Sequence, residues 1–371
     1  MTSHRGVRAA STLIAILTIS IPALAAGGGG GSSGKRTKAR PTDSSKQKSP
    51  RQNADPRKQG GIATPNAVKA SKAAAIEMGA PIQFHNISIV PVMTTRTGNF
   101  QKYTLLEQGV AAKTLDVREL AGNSGEAQVN QVEIRNRGQD PVYLLGGEMI
   151  LGGKQDRIIA RDTVVAATGT WTRVSVFCVE EGRWSGQNMK FQSGQAMADV
   201  SVRRAAMTGS QSNVWETVSK KNALHGSQSA TQTYRRTIQN PSVRKKVQPY
   251  VRQLIDKMPA DKQLAGLVFG VNGKIHVADI FGNPVLFGAL ENKLLSAYVL
   301  EALGHQVVRD ARPVSSKQAE TFVGKGRKTS SKKATKSGRA TSYSKETDDL
   351  IGAETVDEAT GETVRETYIG K

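Results

Sequence analysis

The sequence predicts an α+β protein. A strand-rich first half packs against a helical second half that carries a β-hairpin, with a disordered N-terminal linker and a disordered C-terminal tail on either side. Three observations predict this. From Phe84 to Val179 the apolar residues fall in short β-branched runs with partial alternation. From Gln211 the apolar spacing becomes helical. Both flanks are polar, highly charged and nearly free of aromatics.

The chain has 371 residues and a formal net charge of +21. One cysteine excludes an intramolecular disulfide framework and a Cys-rich zinc site. No apolar run reaches the roughly 18 residues of a membrane helix, which excludes a multi-span membrane protein.

Residues 1–26 read as a secretory signal peptide. Arg5 and Arg8 form the basic start, Thr12 to Leu24 the apolar stretch, and Ala23-Leu24-Ala25 the small-residue cleavage pattern. Export to a periplasm or the outside is expected, with no membrane span left after cleavage. Residues 27–80 read as a basic linker, and nine bases against two acids lie between Gly27 and Ile62. A short Ala-rich helix, Ala67 to Met78, closes it.

Residues 81–312 read as one folded domain. Ile87 to Val92 is a strand in which Pro91 predicts an edge. Tyr103 to Gly109 is a short helix. Strands follow at Thr114–Leu120, Val129–Arg137, Val142–Leu145, Arg157–Ala167 and Thr172–Val179. Helices start at Gln211, at Asn240-Pro241 and at Asn283-Pro284, the latter two with the N-cap-then-proline signature. Asn272-Gly273 between two apolar runs predicts a hairpin. Residues 313–371 read as a low-complexity tail: Lys325 to Lys345 holds eight bases and no acid, and Glu346 to Lys371 eight acids and two bases. A hairpin around Thr360-Gly361 is its one structural signal.

Two clusters carry candidate chemistry. In Gly146 to Arg157, four glycines bracket Glu148 and lead into Lys154-Gln155-Asp156-Arg157. Glycines allow close backbone approach to a ligand, and Lys and Arg can hold a phosphate or carboxylate. Cys178-Val179-Glu180-Glu181-Gly182-Arg183-Trp184 follows a strong strand. Glu148 and Glu180 are the candidate acid–base groups, and Lys154, Gln155, Arg157, Arg183 and Trp184 the candidate ligand-binding groups. The same acids and bases can also serve as an internal salt-bridge core. Cys178 reads as a small buried hydrophobe. Arg203-Arg204 and Arg235-Arg236 form either a solvated basic face or the wall of an anion pocket. No two of the five histidines stand at metal-ligand spacing, so no metal site is expected. The basic tail lacks interleaved aromatics, which argues against specific nucleic-acid binding and leaves anionic envelope polymers as partners of the linker and tail.

Read together, the two clusters resemble the G-E-E-L-x-G-A-K-Q-N-R and C-V-E-x-G-R-W motifs of the ADP-ribosylglycohydrolase and rhodanese-phosphatase-superfamily-associated protein domain family. Met149 stands for the first motif's second acid and Asp156 for its Asn. The resemblance extends from Phe84 to about Leu303. It implies a domain of uncertain activity linked to NAD and ADP-ribose metabolism. A phosphorylated nucleotide or sugar, NAD or ADP-ribose among them, is then the expected small anionic ligand, and no cofactor is identified.

Overall fold

The computed structural model of the chain describes residues 74–121, 127–183, 190–208 and 210–371. The expected signal peptide, almost all of the linker, and Trp184 lie outside the described residues.

Three short strands open the fold: β1 (Ile76–Met78), β2 (Ile82–Phe84) and β3 (Ile87–Thr94). The Ala-rich helix expected to end at Met78 is therefore a strand where it is described. Pro91 marks no sheet edge either. β1 covers Val92 to Thr94 and β2 covers Ile87 to Ile89, so Pro91 falls in the gap, where no N–H is needed on that side. β4 (Thr104–Leu105) leads into α1 (Leu106–Ala111), then β5 (Leu115–Ala121) and β6 (Ala127–Asn136). β7 (Val142–Leu144), β8 (Glu148–Leu151), β9 (Arg157–Ile159) and β10 (Thr163–Val165) are short. β11 (Trp171–Cys178) and β12 (Gln192–Met197) end the strand-rich half.

Helices dominate next: α2 (Val200–Thr208), α3 (Gln211–Leu224), α4 (Arg235–Gln239) and α5 (Pro241–Lys257). Asn240 Oδ1 accepts the Ser242 N–H at 2.9 Å, the cap its sequence predicts. β13 (Leu264–Val271) and β14 (Lys274–Phe281) form the expected hairpin, with Asn272 and Gly273 both at positive φ. Asn283 then caps α6 (Pro284–Ala302) through the Val285 and Leu286 N–H groups.

Beyond Arg312 the structure departs from the expected tail. α7 (Ser316–Lys328) is followed by β15 (Lys333–Ser337), β16 (Ala340–Glu346), β17 (Leu350–Asp357) and β18 (Glu362–Gly370). The hairpin expected at Thr360-Gly361 is β17–β18, and it is not isolated, because β18 pairs along β14. The opposite charge blocks hold each other. Lys332 meets Glu346 at 3.0 Å, Arg327 meets Glu366 at 2.6 Å, and Lys336 meets Glu358. A charge-segregated sequence thus becomes a charge-complementary sheet.

Among the described residues, nine strands form one antiparallel sheet ordered β1-β3-β13-β14-β18-β17-β16-β15, with β2 also on β3. A six-stranded sheet, β12-β8-β9-β11-β6-β5, and a three-stranded one, β10-β7-β4, lie alongside. The main core gathers Phe269, Phe281, Phe287, Leu294 and Tyr298 between the large sheet and α6. A smaller cluster, with Val90, Val268, Val323 and Tyr368, fills the space between that sheet and α7. β13 is buried along its whole length, which explains its unbroken apolar run. The three-stranded sheet touches the β15–β16 turn where Val164 bridges Gly338. A Cβ there would stand 2.1 Å from the Val164 carbonyl oxygen, and φ is +61°, so only glycine fits.

Candidate functional site

The two sequence clusters separate in space. Glu148 opens β8 directly after Gly147, and its carboxylate turns inward. Oε2 accepts the Leu145 N–H at 3.2 Å, and Oε1 receives the Lys293 ammonium from α6. Lys293 also reaches Glu107 Oε2 on α1 at 2.9 Å. The result is a carboxylate–ammonium–carboxylate row from α1 through α6 to β8. Burial pushes the Glu148 carboxyl up to about 7, against the pull of Lys293. Burial alone would lower the Lys293 ammonium, but Glu148 and Glu107 hold it above its ordinary range.

Gln155, Arg157, Glu180 and Arg183 belong to a second, closed network. Arg157 is fully buried and grips Glu119 on β5 with two parallel bonds of 3.0 and 2.8 Å. The Lys154 N–H donates to the same Glu119 carboxylate at 2.8 Å. Gly153 permits this: its φ is +58°, and a Cβ would stand 2.4 Å from Glu119 Oε1 and 2.3 Å from the Phe191 ring. Gln155 Nε2 donates to the Glu180 carbonyl at 2.7 Å. Glu180 Oε2 accepts the Asp156 N–H and Arg183 Nε. Arg183 Nη1 donates to the Gly153 carbonyl, and Arg235 and Thr233 close on Asp156. The Glu119–Arg157 pair and the alternating chain Glu180–Arg183–Asp156–Arg235 thus tie β5, the β8–β9 turn, the end of β11 and α4 together. Among the described residues, Gln155 Oε1 is a buried acceptor without a donor.

Cys178 is buried beneath this network, and burial pushes its thiol up to about 11, so it is no nucleophile at neutral pH. Gln211 brackets it by accepting its N–H and donating to its carbonyl. The Arg-Arg pairs divide. Arg203 is buried and binds Asp279 with bonds of 2.9 and 3.0 Å, while Arg235 joins the Asp156 network.

An open pocket of about 900 Å³ lies between β12, α5 and α6. Lys293 and Glu107 line its wall, so the row ending at Glu148 begins in the pocket. Arg244 and Arg252 on α5 face it, with Gln195 from β12, Gln248 from α5 and Asn292 from α6. Apolar Val243, Val247 and Val251 line the α5 side. Glu180, Gln155, Arg157 and Arg183 are not among its lining residues. Sequence reading missed Lys293, Glu107, Glu119 and Thr233 as site residues. Lys293 had one usable signal: it falls among the buried positions of α6, which apart from it and Glu301 are apolar or aromatic.

Fold and site define an α+β domain on a large antiparallel sheet, braced by buried ion pairs and open at a polar pocket between β12, α5 and α6. The chain matches the model of the ARG and Rhodanese-Phosphatase-superfamily-associated Protein domain (ARPP-1) over residues 75–368, and it belongs to that family. The match includes the C-terminal strands, in accord with their place in the sheet. Neither the curated proteins nor the solved structures contain a match.

Proposed function

We propose that this domain is exported and binds a phosphorylated nucleotide or sugar of the ADP-ribose kind in the pocket between β12, α5 and α6. One observation carries the reading: a pocket of about 900 Å³ that presents Arg244, Arg252 and Lys293 with amide side chains around them. That volume suits a dinucleotide-sized ligand. Arginines grip phosphate oxygens by paired bonds, and amides suit ribose hydroxyls. Glu107 supplies a carboxylate at the pocket wall, and Lys293 links it to Glu148, whose proton affinity lies near neutrality. That row is the acid–base element of any processing step. In this reading the Glu119–Arg157 and Glu180–Arg183 network fixes β5, the β8–β9 turn and the end of β11 and does not touch the ligand. The family's link to ADP-ribose metabolism is associational and adds to the reading without carrying it.

The experiment is a thermal-shift and calorimetric screen of residues 27–371 against ADP-ribose, NAD, nucleotides and phosphosugars. A ligand that binds only the folded state raises the melting temperature. The rise is expected to vanish in an Arg244→Ala/Arg252→Ala variant. A ligand whose shift survives in that variant would place binding elsewhere, and no shift with any of them would end the proposal. Fractionation of cells producing the full chain tests export.

The linker between Gly27 and Ile62, with nine bases and two acids, favours a second reading in which the domain is tethered non-catalytically to an anionic envelope polymer. Removing that segment would then abolish salt-sensitive polymer binding and leave the pocket's ligand binding unchanged.

A further inference from the structure

His276 on β14 and Glu301 with His305 at the end of α6 converge although 25 residues separate the first two. Glu301 is buried, His276 half-buried and His305 exposed. His305 Nε2 stands 3.1 Å from Glu301 Oε1, and His276 Nδ1 stands 3.9 Å from the same oxygen. The two rings meet edge to face at 4.9 Å between centroids. One ligand atom from each of the three residues lies within 4.8 Å of the others. Glu301 stands in the last turn of α6, and His305 lies three residues past its end, where a turn closed by the His305 N–H on the Ala302 carbonyl at 3.1 Å keeps the imidazole beside the carboxylate.

The surroundings fix the carboxylate. The Ser201 hydroxyl donates to Glu301 Oε1 at 2.8 Å, and its N–H donates to Oε2 at 3.1 Å. Lys221 donates to Oε2 at 2.8 Å and is itself balanced by Asp199 at 3.6 Å. Oε2 is thus occupied by the lysine, and Oε1 is the oxygen turned toward both imidazoles. Such outer bonds orient a ligating carboxylate and hold its charge.

We propose that His276, Glu301 and His305 bind a zinc-class divalent cation, with water as the fourth ligand. Two imidazoles and one carboxylate form a donor set that suits this class, and the exposed side at His305 leaves room for the water. On binding, His305 takes the tautomer that carries its ring proton on Nδ1, so that Nε2, which faces Glu301 Oε1 at 3.1 Å, offers its lone pair to the metal. None of the three residues lines the pocket between β12, α5 and α6, so this site stands or falls independently of the ligand reading.

The test uses the full untagged chain, stripped with a chelator and titrated with Zn²⁺ and Co²⁺. The expected result is one equivalent bound, a rise in melting temperature, and a Co²⁺ visible spectrum of tetrahedral intensity. His305→Ala, at an exposed position, is expected to fold and to lose both the spectrum and the single equivalent. His276→Ala is expected to do the same, and His85→Ala to keep both. No bound equivalent in the wild type, or a spectrum unchanged in His305→Ala, would overturn the proposal and leave the cluster as an ordinary ion pair at a helix end.

Discussion

Arg365, on the last strand, donates from Nε to Oδ1 of Asp279 on β14 at 3.1 Å, and both side chains are closed to solvent. Arg203 holds the other side of the same carboxylate, and Arg365 also reaches Asp162 at 2.8 Å. The C-terminal segment is thereby fastened to the centre of the domain. A chain ending at Arg312 loses β18, which uncovers the backbone edge of β14 and leaves Asp279 with one of its two arginines. Such a truncation is expected to be insoluble or to lack a cooperative unfolding transition by circular dichroism. A soluble, cooperatively melting product would show that the tail is dispensable to the fold.

Asp279 itself is a sharp test of the buried ion cluster. Burial would raise its carboxyl, but Arg203 and Arg365 hold it far below the usual carboxylate range. Asp279→Asn keeps the shape and removes the charge, stranding Arg203 in a buried site. Losing one partner of a buried pair costs about 3–5 kcal/mol. Urea denaturation of the variant should show a loss of that order, and a loss under about 1 kcal/mol would mean that solvent reaches the cluster.

The parts of the fold that the sequence made legible are those fixed by neighbours in the chain. Asn240-Pro241, Asn283-Pro284 and Asn272-Gly273 each set their own backbone, and each element begins or turns where those residues predict. The tail was illegible because its stabilisation is not local. Lys325 to Lys345 repels itself as a free segment, and only the register of β15 to β18 against β14 brings Glu346, Glu358 and Glu366 to it. β8 was hidden for a related reason: its Gly-rich flanks read as a ligand loop, yet they serve backbone approach within the protein. The candidate site was half legible. Glu148 was found, but its partner Lys293 lies 145 residues away and carries no motif. The histidine cluster shows the same limit, since spacing along the chain cannot reveal that β14 begins beside the end of α6.

The glycine of the first motif gives a prediction with an internal control. Gly153 and Gly169 both have positive φ, +58° and +69°. A Cβ at Gly153 meets the Phe191 ring and the Glu119 carboxylate, while a Cβ at Gly169 meets nothing within 4 Å. Gly169→Ala therefore pays only backbone strain, about 1–2 kcal/mol. Gly153→Ala adds overpacking of a further 1–3 kcal/mol or so and displaces Glu119 from Arg157. Equal losses in the two variants, measured by chemical denaturation, would show that the Glu119–Arg157 grip does not depend on that close approach.

The Glu148 carboxyl predicts a pH dependence with a definite sign. Its ordinary value is 4.5, and in the folded protein burial raises it to about 7. The folded state therefore holds more protons than the unfolded chain between these values, and its stability falls as pH rises through that window. This contribution is fully present below the unfolded value and is lost as pH passes the folded one. A rise of this size corresponds to roughly 3 kcal/mol. Glu148→Gln cannot titrate, retains an oxygen for Lys293, and leaves that ammonium its ion pair with Glu107. Its stability should be flatter than the wild type's between about pH 4.5 and 7, with the two curves closest below pH 4.5, where the wild-type carboxyl is neutral too, and the variant gaining on the wild type toward neutrality. Urea midpoints taken across that range measure the difference directly. If the two proteins kept parallel profiles, Glu148 would be titrating as an exposed acid, and the row from Glu107 through Lys293 would have no proton to move near neutral pH.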